Sequence, residues 1–571
     1  MTTDTWLDLG PIAQFPEDRP VLRKAGGQRF ACVRRGEQVH AVDDRCPHQG
    51  YPLSQGSCAD GVLTCEWHNW KFDIATGENT FGGEAVRRYP TRVDPEGRVH
   101  LNPAIDKERE ASRLRVGLSK ALHRDQMGRA LREGLRLGAM VDHPQSSALG
   151  SLAPAFELVA HDGARRAEYG FDHGLAVFAD LVTWAERGWI TPEEAFVSAA
   201  HAVAEASIHL PERATSRLST LESPLDPSLA CDALIAERRD EAEARVRTLA
   251  AHHGAETAPL LVPFLTRHLY DYGHSAIFTT KAAEIARRFP AIAQDVFGSL
   301  AVSLSWATAE TVLPPFAATR AALERLSTIQ IASAADEPLD LAARSQFEAA
   351  ILSGEQTGAN AAVDLVQRGV HPRAVLRVAA HAAATRLSRF DSAWEQRVDA
   401  EVGALDVTHT VTFAEAALAL SENASLTDIA RFAVFAAAFA GRVKNGDRAD
   451  VADPAPRTNA PDLLSALRAR DPGRAVVIAR EMSAAERLDA YTTLAPFAAL
   501  EAAVRPIFYA HTVKNAEALR RLEMADPLAD DAYLVALVSY IAPVRPEFRP
   551  RRLAHVAKKF FVDGRPPEGL Y

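Results

Sequence analysis

Two short ligand pairs constrain this chain more than anything else in it: Cys46-Pro-His48 and, after sixteen intervening residues, Cys65-Glu-Trp-His68. Each pair supplies one thiolate and one imidazole within a few residues, so each can come from a single tight loop. The fold must bring those two loops to a common point. Two such loops can clasp an iron–sulfur centre in which two cysteines hold one iron and two histidines hold the other. Cys2His2 also suits zinc, but zinc sites more often pair Cys with Cys and His with His. A centre of this kind moves one electron at a time, so the expected function is redox.

The surrounding residues narrow this further. The stretch Cys46-Pro-His48-Gln-Gly50-Tyr-Pro-Leu, followed by Asp60-Gly-Val-Leu-Thr-Cys65-Glu-Trp-His68-Asn-Trp70-Lys-Phe72-Asp73 and Thr76-Gly77, closely resembles the Rieske ferredoxin-like family. The resemblance implies a small β fold and one [2Fe-2S] cluster. Cys46 and Cys65 would ligate one iron, and His48 and His68 the other, with Tyr51, Trp67 and Trp70 as shielding. Gly50 fits the family's first loop, where backbone amides turn toward the cluster sulfides. Two positions depart from the pattern: Glu66 stands where Pro is usual and Asn69 where Gly is usual. Asn tolerates positive φ, so a tight turn at 69 is still expected. High-potential members carry a disulfide across the cluster and hydroxyl donors to the sulfurs. Here Tyr51 and Trp67 replace the cysteines, and Trp70 and Phe72 the hydroxyls. Fewer donors stabilise the reduced cluster less, which predicts a potential of roughly −150 mV rather than +300 mV.

Bulk properties set the frame. The 571 residues have room for several domains, and a net charge of −10 argues against nucleic acid or an anionic membrane as obligate partners. Cys32, Cys46, Cys58 and Cys65 crowd the first 65 residues, with only Cys231 beyond them. That is no disulfide framework, and it predicts the reducing cytoplasm. Neither a signal peptide nor an apolar stretch long enough to span a bilayer is read in the sequence. Cys58 reads as a structural thiol, because the ligand set is complete without it.

Residues 1–104 read as short strands, such as 21–23, 30–33, 38–42 and 98–101, punctuated by Gly26-Gly27, Gly36, Gly61 and Gly77. Residues 105–140 read as a charged helical linker, and 141–571 as an Ala-rich α-helical domain. The fold class expected is multidomain: a small all-β Rieske domain, then a large all-α domain built as a helical repeat or bundle. Thr191-Pro-Glu-Glu194 and Ser483-Ala-Ala-Glu486 are capping boxes. Ala179-Asp-Leu-Val … Arg187-Gly-Trp-Ile-Thr-Pro192 is echoed by Val363-Asp-Leu-Val-Gln-Arg-Gly-Val-His-Pro372 as helix, Gly cap, Pro start. The basic stretch 549–571 is read as a surface or docking tail.

The helical part, from about residue 120, is similar in texture to the questin oxidase-like family of helical proteins tied to oxidation of aromatic polyketides. It shares the Asp172-His173-Gly174 start, the segment His268-Leu-Tyr-Asp-Tyr-Gly-His274, and His-led helices at 409 and 511. His274, His409 and His511 are the candidate catalytic residues. His173 and His253 are further candidates, and Glu415 and Glu517 are carboxylate options. This set leaves open a second, mononuclear iron. Asp271-Tyr-Gly-His274 begins the D-x-x-H pattern of ring-hydroxylating oxygenases, but no further His follows at the required distance. No dinucleotide, P-loop or nucleophile-elbow motif is present, so electrons are expected from a separate reductase or ferredoxin. The sequence reading is a cytoplasmic iron–sulfur oxidoreductase that relays single electrons to a helical domain oxidising a small organic substrate, an aromatic one as the questin oxidase-like resemblance implies. The alternative is an electron carrier or redox sensor whose helical array binds protein.

Overall fold

The computed structural model describes residues 6–141, 148–208, 226–269, 271–306, 316–332, 335–391, 403–450, 452–501, 506–543, 558 and 561–564. Most of the basic tail over 549–571 therefore lies outside the described residues. The chain forms two compact units: Met1–Ala155 with Arg552–Tyr571, and Phe156–Arg551.

The first unit is β-rich and antiparallel. Its strands are β1 Leu7–Pro11, β2 Val21–Ala25, β3 Gln28–Arg35, β4 Gln38–Asp43, β5 Ser57–Ala59, β6 Val62–Thr64, β7 Lys71–Asp73, β8 Arg88–Tyr89, β9 Thr91–Val93 and β10 Arg98–Leu101. They pair in the orders β1-β10-β9, β2-β3-β4-β8 and β5-β6-β7. The register of β2 on β3 leaves Gly26-Gly27 as a two-residue loop with φ of 55° and 76°, and that of β5 on β6 leaves Asp60-Gly61 at 50° and 78°. Left-handed residues at both loop positions match the strand twist, which is why Gly-Gly and Asp-Gly stand there.

Phe30-Ala-Cys-Val33 reads as an unbroken apolar run because β3 is buried on both faces. Phe30 and Cys32 join a cluster with Val39, Ala41, Tyr89, Val99 and Leu101. Ala31 and Val33 face the other way, into a cluster with Leu53, Leu63, Phe72, Ile74 and both ligand cysteines. Period-two alternation thus carries the ligand loops on one face of the central strands while the other face closes the core.

The stretch expected as a linker folds as a hairpin of two helices, α1 Lys107–His123 and α2 Met127–Met140. Asp106 caps α1 by accepting from the Arg109 N–H. Leu114, Leu118 and Leu122 of α1 and Leu131 and Leu135 of α2 are buried, and a stripe of this kind needs a partner surface. The hairpin accordingly belongs to the first unit, and it is not a connector.

Among the described residues, every regular element of the second unit is a helix, with one isolated antiparallel bridge, Phe390 to Asp447. Both capping boxes form as read, with Thr191 and Glu194, and Ser483 and Glu486, exchanging side-chain to backbone bonds. The helix–Gly–Pro–helix echo is also present: Gly188 and Gly369 have φ of 73° and 88°, and Pro192 and Pro372 each open a helix. Four helices define the site: the His173 helix (His173–Glu186), the His274 helix (His274–Arg288), the His409 helix (Ala404–Leu420) and the His511 helix (Pro506–Ala525). Among the described residues, no helix is long and apolar enough to cross a membrane.

Candidate metal centres

The loop after β4 and the loop between β6 and β7 present the two ligand pairs. The Cys46 N–H donates to Tyr51 O at 2.9 Å and the Gly50 N–H to Cys46 O at 2.8 Å, closing the first loop. The Cys65 N–H donates to Trp70 O at 2.7 Å, closing the second. Gly50 sits at φ 85° and Asn69 at φ 56°, so Asn does take the left-handed position usually given to Gly. Both cysteines are free and buried. Their sulfurs lie within hydrogen-bond contact, which draws Cys65 down to about 7 while the same bond and burial push Cys46 up. The His48 and His68 rings are 4.8 Å apart, His68 toward solvent. Burial, helped by the Arg132 guanidinium, holds His48 down to about 4, so it is a neutral imidazole with a lone pair to offer. Two soft thiolates side by side and two imidazoles side by side fit a [2Fe-2S] cluster with one iron on each pair.

The model of the Rieske [2Fe-2S] domain matches residues 5–89. The ferredoxin subunit of anthranilate 1,2-dioxygenase from Burkholderia cepacia is 38% identical over 103 residues, 94% of its own length and 18% of this chain. The chain belongs to the Rieske family. The 4beta-methylsterol monooxygenase of Methylococcus capsulatus is 52% identical over 79 residues, which are 21% of that protein and 12% of this chain. The solved ferredoxin of carbazole 1,9a-dioxygenase from Nocardioides aromaticivorans is 26% identical across 99% of its chain and 18% of this one, with a TM-score of 0.17.

Aromatic rings enclose the candidate ligands. Trp70 stacks on His48 with centroids 4.6 Å apart and planes 6° apart, and Trp67 on His68 at 4.7 Å and 28°. Tyr51 packs against the same cluster of buried residues. A Cβ at Gly83 would lie 2.8 Å from the Trp70 ring, so Gly there is what lets Trp70 lie flat. Arg136 of α2 donates to Pro47 O at 2.8 Å, between two ligands in sequence, while Arg132 donates to the buried Glu84 at 2.5 Å. The helical hairpin thereby braces the first ligand loop. Cys58 lies in β5, its thiol pushed up chiefly by burial, and takes no part in the ligand set.

In the helical unit, His274, His409 and His511 come together, and His173 completes the group. Ring centroids run around a closed circuit: 4.8 Å from His173 to His274, 4.5 Å to His409, 4.5 Å to His511, and 5.1 Å back to His173. His274 opens its helix; His409 and His511 each lie in the second turn of theirs. Ligand atoms of His173, His409 and His511 all lie within 4.8 Å of one another. Nε2 of His274 is 2.8 Å from Nε2 of His409 and 3.3 Å from Nε2 of His173.

Hydrogen bonds on the far nitrogens fix which lone pairs converge. His409 Nδ1 is 2.6 Å from Leu405 O, and a carbonyl only accepts, so the proton is on Nδ1 and Nε2 is bare. Thr408 donates its hydroxyl to Leu405 O at 2.9 Å and therefore accepts from His511 Nδ1–H at 2.9 Å, leaving His511 Nε2 bare too. That Nε2 is buried and has no partner. His274 Nδ1 faces the Asp271 carboxylate at 3.5 Å, the usual arrangement behind a metal-bound histidine. Burial pushes His173, His409 and His511 well below the ordinary imidazole range and lowers His274 as well. At 2.8 Å the bare Nε2 of His409 needs a proton or a cation between it and the Nε2 of His274. Metal–nitrogen bonds of about 2.1 Å put neighbouring ligands about 3 Å apart, so the spacing suits one ion.

Glu415 and Glu517, the carboxylates considered from sequence, are bound to cations instead. Glu415 accepts from Arg521 at 3.1 Å, and Glu517 from Trp184, Arg187, Arg520 and Arg521 at 2.7–3.1 Å. His253 is exposed at the end of its helix, and His268 stacks on Phe264 at 4.1 Å. Lys514 carried no signal in sequence. It follows His511 by one turn, its amine is buried without a partner, and burial lowers it to about 7.

Proposed function

We propose that the chain is an oxidoreductase in which electrons from the Rieske domain serve a mononuclear metal held by His173, His274, His409 and His511, where an organic substrate is oxidised. The observation that carries this reading is that the outer nitrogens of His409 and His511 are committed to Leu405 O and Thr408, while ligand atoms of His173, His409 and His511 lie within 4.8 Å of one another and His274 Nε2 is 2.8 Å from His409 Nε2. Iron–sulfur electron transfer is the role of the family, and the matched relatives include a dioxygenase ferredoxin and a monooxygenase. When bound, the cluster supplies single electrons, and a mononuclear iron supplies an open position for oxidant or substrate. His173 and His274 are only part-buried, and Tyr272 is 46% exposed with its ring 5.3 Å from His409, which gives a substrate an approach. Phe278, buried, stacks on His274 at 4.8 Å and backs the site with an apolar ring. Four neutral imidazoles leave the ion's charge uncancelled, which favours an anionic oxidant or substrate oxygen there. The electron donor to the Rieske domain is a separate reductase.

Stopped-flow reoxidation of the reduced [2Fe-2S] cluster by dioxygen tests this. Wild-type protein carrying metal at the histidines should reoxidise faster than His409→Ala, which keeps the cluster and loses that metal. Equal rates in the two proteins would overturn the electron relay.

A further inference from the structure

The four site helices carry a second set of buried polar groups that the histidines do not use. Asp180 follows His173 by seven residues, and Lys281 follows His274 by seven. Seven residues keep each on its histidine's face to within about 20°, about 10.5 Å along the axis. Lys281 Nζ donates to Asp180 Oδ1 at 2.7 Å and to Glu284 Oε1 at 3.3 Å. Glu284 also accepts from Arg521, at 2.5 and 3.1 Å. Glu284, Arg288 and Arg521 help wall a cavity of about 510 Å³. Glu256 and Arg287 on the same wall are 69% and 62% exposed, so this cavity meets solvent. At the inner end, Asp180 Oδ2 and Lys514 Nζ are both buried with no hydrogen-bond partner. Lys514 is one turn, about 4.5 Å, beyond His511. Its helix continues to Glu517 and Arg521, which bond Trp184, Arg187 and Glu284. Lys514 is therefore between the histidine layer and the Asp180–Lys281 layer.

A buried acceptor and a buried donor, each unpartnered, cost stability and call for a use. We propose that Glu284, Lys281, Asp180 and Lys514 form a proton route from this cavity to the histidine centre, with Asp180 and Lys514 holding the travelling proton. The proposal rests on the functional reading above, since each electron delivered to the centre needs a proton to balance it. Lys514 gives its proton toward the centre and takes one from the Asp180 carboxyl by way of an intervening water, because the two atoms are not within hydrogen-bond distance of each other. Asp180 recovers one from the Lys281 ammonium, which is refilled from cavity water past Glu284. One proton has then moved inward, and every group has its starting charge. Burial raises Asp180 to about 7, against Lys281 and Arg521 and with Glu284 and Glu517. Burial lowers Lys514 to about 7, against Asp180 and with Lys281. Asp180 and Lys514 are matched and exchange a proton with little loss of driving force near neutral pH. Burial and Arg521 oppose the charge on Lys281, but Asp180 and Glu284 hold it above the usual ammonium range, so refilling Asp180 from it is the uphill step.

The test uses the full chain with its cluster loaded, as wild type, Asp180→Asn and Asp180→Glu. Infrared difference spectra across neutral pH read the route without turnover. A protonated-carboxyl band that titrates in wild type should vanish in Asp180→Asn and return, shifted, in Asp180→Glu. In the stopped-flow assay, Asp180→Asn should slow metal-dependent reoxidation about 10²-fold and abolish its solvent isotope effect. Asp180→Glu should restore most of both. Unchanged rate, pH profile and isotope effect in Asp180→Asn would overturn the route, as would a carboxyl band that survives in that variant. If wild type shows no metal-dependent reoxidation, the functional reading fails. The infrared band then decides the buried proton pair by itself.

Discussion

Thr408→Val isolates the hydrogen bond that orients His511. Valine matches threonine in shape, and position 408 is fully buried, so the packing is kept. The hydroxyl does two things: it donates to Leu405 O at 2.9 Å and accepts from His511 Nδ1–H at 2.9 Å. Leu405 O keeps a donor after the change, His409 Nδ1–H at 2.6 Å. His511 does not: its ring is fully buried, and its Nδ1–H would be left unpaired at a cost of about 1–3 kcal/mol. The ring escapes that cost by moving its proton to Nε2, which removes the lone pair a metal needs. Loss of such an outer partner lowers metal affinity about 10–100-fold, or about 1.4–2.7 kcal/mol. The assay is chelator competition for Zn(II) on protein whose cluster is already loaded, with the cluster's visible spectrum as an internal control. Affinity within twofold of wild type would refute the tautomer argument, and with it the convergence of bare nitrogens.

Three further outcomes are expected. Gly273 has φ 74°, and a Cβ there would meet the Phe413 ring at 2.4 Å; Gly273→Ala should cost at least about 1–2 kcal/mol and displace His274, lowering both the melting temperature and the metal content. Burial opposes a charge on His381, but hydrogen bonds to Asp530 and Glu348 lift it to about 9. Its stabilisation is therefore complete below about 6.5 and lost as pH rises through about 9, so the melting-temperature gap between wild type and His381→Gln should close over that window. With Trp70 and Phe72 where hydroxyl donors would stand, voltammetry should place the cluster near −150 mV, and a midpoint well above zero would contradict the ligand environment described.

The candidate ligand loops were legible because their chemistry is local: Cys46 with His48, and Cys65 with His68, sit within one turn of each other. Strands such as 30–33 and 38–42 were readable for the same reason, their turns being set by Gly26-Gly27 and Gly36. The histidine centre is different. His173, His274, His409 and His511 are separated by roughly a hundred residues each, and no spacing rule joins them. What could be read was their shared setting near the starts of Ala-rich helices. Glu415 and Glu517 looked like ligands because sequence does not reveal which arginines fold onto them. Lys514 and Asp180 were invisible, since burial without a partner is a property of packing. The hairpin over 107–140 read as a linker because its charged face dominates the composition while its leucine stripe is sparse.

Iron and acid-labile sulfide per chain decide most directly whether the chain holds both a cluster and a separate ion. Anaerobically purified protein should contain about three irons and two sulfides per chain, falling to two and two in His409→Ala. Two irons and two sulfides in wild type, with no other metal bound, would leave the Rieske cluster alone and contradict the histidine centre.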